Sequence, residues 1–458
     1  MIAFLEQLIA GIWNRLRRRH RGAWRGASSL DLGFRVVDGR TTRTHVMLSA
    51  ERRARHLSVI GRTGTGKSYF LRHQIQQDIE ADRGCFVFDF HGDLTRFALR
   101  VINARERKLH RHVSKKLILI QPADPIVSVG FNPLEGQSSE FVGIAEFAAV
   151  LRQRWALDHF GARTDELLRN SLFALSANEL TLLELVPFLS DASFRKACMK
   201  RVANAEIRSY FELRYGQASE AMQAVMREPI LNKTSAFSAD PHFRHIVGQQ
   251  HSTFSLREAM DEGYWVFADL PKGRLGEHAL TLASLLFTMI KSTVFTREKR
   301  SIFTVYCDEL QNLVSHASGI ETVLSEARKF GVAIVTANQF LEQYPAGIRA
   351  SILAVGTHAF FQLSGADAAY VAQLLDGGRS LTERLKNLPK RHCIVKSGSE
   401  RWVEVEVPTV ETPQVDPIDL VNRSRYERGR VRAHIERDIA KRQASIAGSA
   451  NEVLHDWE

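Results

Sequence analysis

Gly61, Arg62, Thr63, Gly64, Thr65, Gly66, Lys67 and Ser68 spell GRTGTGKS and match the spacing G-x-x-x-x-G-K-[ST]. Residues of these types at this spacing cradle phosphates. His56 to Ile60 is an apolar strand candidate leading into the loop, and Ser68 to Ala81 reads as a helix leaving it. That order sets backbone N–H groups and a helix N-terminus, with its partial positive charge, against an anion. Lys67 is then expected to reach the β- and γ-phosphates of a nucleoside triphosphate, and Ser68 to ligate Mg²⁺. A Gly/Thr-rich surface turn would match the pattern without needing a strand before it or a helix after it.

A bound triphosphate is hydrolysed only if other groups hold the metal and orient water. The apolar run Ser301 to Leu310 delivers two adjacent carboxylates, Asp308 and Glu309, at its end. Ligands of open α/β sheets sit at the carboxyl ends of strands, so both acids are expected beside the nucleotide. Asp308 can hold the metal through water, and Glu309 can position or polarise the nucleophile. Gln339 follows another buried strand candidate, Gly331 to Thr336, and can hydrogen-bond both water and γ-phosphate. A small-molecule kinase would leave that place to its substrate, so the set favours a hydrolase. A helix cap and a surface acid remain the plain alternative for Asp308 and Glu309, and a loop amide for Gln339.

The elements that would position these groups alternate strand and helix, which implies a mostly parallel sheet with helices on both faces. Further strand candidates are Cys85 to Phe90, containing Asp89 and followed by His91, Leu117 to Gln121, Tyr264 to Asp269 and His358 to Leu363. Arg391 to Lys396 and Arg401 to Val407 form a hairpin across Ser397-Gly398-Ser399. From Phe141 to Ile230 the strand pattern gives way to helical periodicity, an all-α insertion whose rim carries Arg163, Arg169, Arg195, Lys196, Lys200 and Arg201. Those cations are either a DNA-facing surface or a solvated helical face. The expected division is a basic amphipathic leader (1–27), a first core part (28–140), the insertion (141–230), a second core part (231–410) and a basic helical tail (411–458). Within the tail, Arg423 to Arg442 is expected to be one mobile helix.

The 458 residues carry a formal charge of +11, which suits a polyanionic partner such as DNA or an anionic membrane surface. Cys85, Cys198, Cys307 and Cys393 are scattered without a C-x-x-C pair, which argues against a zinc site or a disulfide framework and fits a reducing cytoplasm. No stretch reaches the roughly 20 apolar residues of a membrane span. The leader places Ile2, Leu5, Ile9, Ile12 and Leu16 at helical spacing, with an arginine-rich flank following. This suits peripheral contact of residues 1–25 with the inner membrane face, or docking on a protein. Charges after the apolar run, instead of before it, disfavour a signal peptide.

Eight separated blocks, GRTGTGKS, VFDFHGDL, GFNPLE, ILNKTSAF, FADLPKGRLGE, TVYCDELQNL, LSEARKFGVAIVTANQ and AVGTHAFFQL, together resemble the HerA/FtsK superfamily. Within it they are most similar to the soluble motor portion of TraG/TraD-type conjugative (type IV secretion) coupling proteins. The resemblance spans Leu57 to Val407 and extends to the helical insertion. It implies a RecA-like ATPase core and a ring, a hexamer in this family, that moves DNA through a central channel. It also implies an arginine supplied to each ATP by the neighbouring subunit. Arg328, in the SEARKFG block, holds that place, with Lys329 and Arg274 in reserve. Partners implied are DNA, a relaxase or secretion ATPase, or a nuclease. Coupling proteins usually begin with transmembrane helices, where this chain has the basic leader. A tethered or recruited motor, or one in genome processing or defence, is therefore expected beside conjugation. From a different class, a nucleotide-switched scaffold recruiting protein cargo at the membrane also fits.

Overall fold

The computed structural model describes residues 29–136, 141–313 and 319–455. The basic leader lies outside them. In chain order the strands are β1 (Leu30–Val37), β2 (Arg40–Leu48), β3 (Leu57–Ile60), β4 (Cys85–Asp89), β5 (Leu117–Ile120), β6 (Val127–Ser128), β7 (Trp265–Asp269), β8 (Phe303–Cys307), β9 (Val332–Asn338), β10 (Thr357–Phe360), β11 (His392–Ser397), β12 (Val403–Glu406) and β13 (Arg430–Val431). The first five and β7 to β12 form one sheet in the order β2-β1-β12-β11-β10-β3-β9-β8-β4-β7-β5. From β10 to β5 every neighbouring pair is parallel. The strands β11, β12, β1 and β2 extend that sheet antiparallel.

The parallel strands are nearly continuous apolar runs because helices cover both faces. Side chains alternate between the faces along each strand. Phe86, Phe88, Ile118 and Ile120 meet Phe147, Leu151 and Leu168 from the helical stretch between β6 and β7. Cys85, Val87, Leu117 and Leu119 share the opposite face with Phe70, Leu71 and Ile75 of the Lys67–Glu80 helix. The sheet thus stands between the P-loop helix and the insertion.

Three expectations need correction. The Glu220–Ala239 helix contains Pro229 and runs through residue 230, so a boundary placed there falls inside a helix. The tail is two helices, Ile418–Arg428 and Arg432–His455, separated by β13, which pairs antiparallel with β6. Several of its arginines are engaged with the body: Arg425 pairs with Asp124 at 2.5 Å and Arg442 with Glu184 at 3.2 Å, and the tail's Glu436 accepts from Arg244 and His245. Leu420 joins the cluster on the P-loop-helix face, whereas Ile435 and Ile439 join the cluster on the insertion face. The tail therefore wraps the sheet edge at β5. Finally, Glu277–Phe295 is long and apolar enough by length and composition to cross a membrane. Most of that window, 61%, is buried inside the protein, with Leu282, Leu285, Leu286 and Phe287 in the core.

Candidate active site

The loop Gly61–Ser68 leaves the carboxyl end of β3 and enters the Lys67–Glu80 helix through Gly66, whose φ is 121°. A side chain there would be strained, and its Cβ would lie 2.9 Å from the Arg391 Cα. Three backbone bonds hold the loop: Gly61 N–H donates to the Asn338 carbonyl at 3.2 Å, Arg62 N–H to the Gln362 carbonyl at 2.9 Å, and Arg391 N–H to the Thr65 carbonyl at 2.8 Å. Lys67 donates to the carbonyls of Gly61 and Arg62. Burial pushes its pKa down, with Asp308 and Glu309 opposing that shift.

Because β9, β8, β4 and β7 follow β3 in the sheet, the groups at their carboxyl ends line one edge beside the loop. Gln339 comes first, and its Oε1 accepts from Thr63 Oγ1 at 2.9 Å, so the amide touches the P-loop itself. Asp308 and Glu309 come next, after β8. Asp308 has its pKa raised to about 6, chiefly by burial and then by the nearby Asp89 and Glu309 carboxylates. Burial also opposes the charge of Glu309, but hydrogen bonds from Asn312 and His91, with Lys272 nearby, outweigh it and leave its pKa lowered. The neighbours therefore drive the two acids in opposite directions. Glu309 stays ionised near neutrality, while for Asp308 the opposing charges of His91 and Lys67 are outweighed by burial and the two carboxylates.

Asp89, fully buried, accepts from the N–H groups of His91, Gly92 and Thr95 and so fixes the turn after β4. Asp269, ending β7, accepts from Gln121 at 2.8 Å. Burial raises its pKa, Gln121 opposes the shift, and Asp89 adds to it.

The residues fit Mg²⁺ and a triphosphate by donor chemistry. Among the described residues no cluster of three His, Cys, Asp or Glu could hold a metal alone. One hydroxyl (Ser68) and one half-buried carboxylate (Asp308) remain, which suits an ion that keeps waters and phosphate oxygens as its other ligands.

Arg328 is not brought to this edge. It sits exposed in the Ala327–Phe330 turn that leads into β9, whereas Gln339 follows the other end of the same strand. A seven-residue strand separates them by about 23 Å. Arg328 forms no ion pair among the described residues: Glu326 pairs with Lys329 instead, at 3.9 Å. It lines a cavity of about 390 Å³ with Arg55, His56, Glu321 and Ser325. His56 accepts from Ile334 N–H at 3.0 Å. Burial lowers its pKa to about 4, a bond to the Leu324 backbone opposing and the Arg328 charge reinforcing.

Sequence reasoning noted Asp89, His91 and Asp269 as strand-end residues without a role, and missed Asn312 and Arg55. Position just beyond the end of a strand candidate would have drawn attention to Lys272. Asn312 lies three residues after Glu309, but its other partners, Lys272 and Arg154, are distant in the chain. Of the insertion cations, Arg195 is committed, donating to the Phe188 and Leu189 carbonyls and standing over the Tyr215 ring.

Residues 35–235 match the family model of the helicase HerA central domain. No curated protein matches the chain. The plasmid coupling protein TrwB in complex with ADP and Mg²⁺ superposes with a TM-score of 0.62 at 18% identity, covering 85% of this chain and 97% of that one. The unbound bacterial conjugative coupling protein TrwBdeltaN70 gives 0.61, also at 18% identity, over 84% and 91%. VirB4 of Thermoanaerobacter pseudethanolicus gives 0.53 at 12% identity, over 84% and 97%. The segment that contains the P-loop is thus similar to the HerA central domain, and the fold over most of the chain is that of the TrwB structures.

Proposed function

We propose that this protein is an ATP-driven motor of the conjugative coupling type that assembles into a ring, a hexamer by analogy, and moves DNA through its centre. The observation that carries the reading is the split of the catalytic set. Lys67, Ser68, Asp308, Glu309 and Gln339 gather at the edge where the parallel strands end, and Arg328 is exposed at the edge where they begin. One subunit thus holds the triphosphate and offers its arginine to the next, which completes both sites only in a closed ring.

Within such a site Lys67 would turn from the loop carbonyls to the β- and γ-phosphates, and Ser68 and Asp308 would hold Mg²⁺. Mg²⁺ supplies charge compensation on the phosphate oxygens. Glu309, ionised, would orient and deprotonate the attacking water. Gln339, bonded to Thr63, would transmit the state of the γ-phosphate to β9. The neighbour's Arg328 would stabilise charge developing on the transferred group. DNA would be held through its backbone by lysines and arginines, with salt-dependent affinity and little sequence preference.

ATP turnover by the assembled protein at moderate salt is expected to rise on addition of DNA. No stimulation under assembling conditions overturns the reading. A second reading, a HerA-like processing or defence motor, is favoured by the family match over 35–235. Affinity capture separates the two: a nuclease selects it, a relaxase or secretion ATPase selects coupling. Flotation with anionic liposomes tests the peripheral membrane contact assigned to residues 1–25.

A further inference from the structure

Glu309 is held more elaborately than a water-orienting carboxylate at a strand end requires. Its backbone is left-handed, with φ 55°, an uncommon conformation for a residue bearing a Cβ. Asn312 Nδ2 donates to Glu309 Oε2 at 2.7 Å, and His91 Nε2 lies 3.3 Å from Oε1. Asn312 is itself fixed at both ends. Its Oδ1 accepts from Lys272 Nζ at 2.6 Å, and its carbonyl accepts from Arg154 Nη2, also at 2.6 Å.

Arg154 is the last residue of the Phe141–Arg154 helix, at the start of the helical insertion. Its guanidinium forks, with Nε donating to Ser284 Oγ at 2.8 Å. Ser284 in turn donates to the Leu313 carbonyl at 3.3 Å. Burial lowers the Arg154 pKa, with only Glu277 opposing, so its charge is kept there at a cost. A surface helix end needs no such group. Here it grips the short turn that carries Asn312.

We propose that Asn312 is a positioning residue for Glu309, and that Arg154 ties it to the helical insertion, so that the insertion regulates the hydrolytic competence of the site. The proposal rests on Glu309 acting in hydrolysis. The amide fixes one carboxylate oxygen and thereby the direction of the other. A displacement of the Phe141–Arg154 helix would move the Asn312 carbonyl, and with it the carboxylate. Whatever engages the insertion is then felt at the γ-phosphate without touching it.

The test uses the full chain and steady-state ATP hydrolysis, with binding of a fluorescent ATP analogue measured separately. Asn312→Ala is expected to lower kcat about tenfold to a hundredfold, the size of one lost hydrogen bond to an ion, with KM within about twofold. Arg154→Ala should lower kcat several-fold with nucleotide binding unchanged, and Arg154→Lys should recover only part, because an ammonium cannot span both acceptors. The double variant should be no slower than Asn312→Ala alone, since both act through one link. Independent, multiplicative losses overturn the tie between the residues. Parent-like kcat in Asn312→Ala and Arg154→Ala, with Glu309→Gln inactive, overturns the proposal while leaving the site intact. Parent-like turnover by Glu309→Gln overturns the reading on which it rests. If an alanine variant does not fold, Asn312→Ser and Arg154→Lys carry the same comparison with smaller changes in volume.

Discussion

Asp308 and Glu309 are adjacent in sequence yet differ in protonation chemistry, and the difference comes from what faces each. At Asp308 burial and two other carboxylates outweigh His91 and Lys67, whereas at Glu309 burial is outweighed by hydrogen bonds from Asn312 and His91 with Lys272 nearby. Exchange of their roles is therefore not expected. Glu309→Gln should retain ATP binding while losing about a hundredfold or more in turnover, and Lys67→Ala should lose the binding itself; a nucleotide-binding assay beside a phosphate-release assay separates the two. Two buried imidazoles give a second expectation. Burial lowers both His56 and His358 to about 4, so folding keeps them neutral where the unfolded chain, with a pKa near 6.5, takes up protons. Their contribution is complete above pH 6.5 and is lost as pH falls from 6.5 towards 4, on the order of 3 kcal/mol per ring. Denaturant midpoints should fall between pH 7 and pH 5, and His358→Gln should flatten that fall. An unchanged slope in the variant would remove His358 from the account.

At the scale of elements, the C-terminal helices matter most because they cover a sheet edge. β5 is the last strand of the sheet, and an open edge is a template for pairing with other chains. Ser424 donates to the Leu117 carbonyl of β5 at 3.2 Å and Arg428 to the Lys115 carbonyl just before it at 3.0 Å, so the Ile418–Arg428 helix is fastened to that edge. Beyond β13, Arg442 donates to the buried Glu184 and to the Gly248 carbonyl in the helical stretch. Leu420 is fully buried, and Leu420→Ala should cost about 2–4 kcal/mol, read as a lower denaturation midpoint. A loosely attached tail would show no loss. Removal of residues 418–455 should go further and promote aggregation, measurable by light scattering, because the β5 edge and both apolar clusters lose their cover.

For the whole molecule, the decisive fact is that β9 carries Gln339 after one end and Arg328 before the other. No side-chain rotation brings Arg328 across that span to its own P-loop. Arg328→Ala is therefore expected to turn over ATP slowly alone and to recover when mixed with Lys67→Ala, each subunit supplying what the other lacks. A null result across mixing ratios, with assembly verified by sedimentation, would count against a shared site. Arg55 lines the same cavity, so it is the next arginine to test if Arg328→Ala proves active.

The P-loop, Asp308, Glu309 and Gln339 were legible in sequence because each lies in or directly after an apolar strand, and in a parallel sheet strand ends share one edge. The same logic gave the α/β class and the helical insertion. Element boundaries were less legible: Pro229 looks like a stop but is held within the Glu220–Ala239 helix, and the tail's arginines look solvated until their acidic partners are found elsewhere in the chain. The links from Arg154 through Asn312 to Glu309 could not be read at all. Asn312 and Glu309 are three residues apart, but Arg154 and Asn312 are 158 apart, and only the packing of the insertion against the sheet brings that pair within hydrogen-bond reach. Sequence determined which groups could do the chemistry. Tertiary structure decided which of them the fold brings to one edge, because strand order and side-chain reach are properties of the folded sheet.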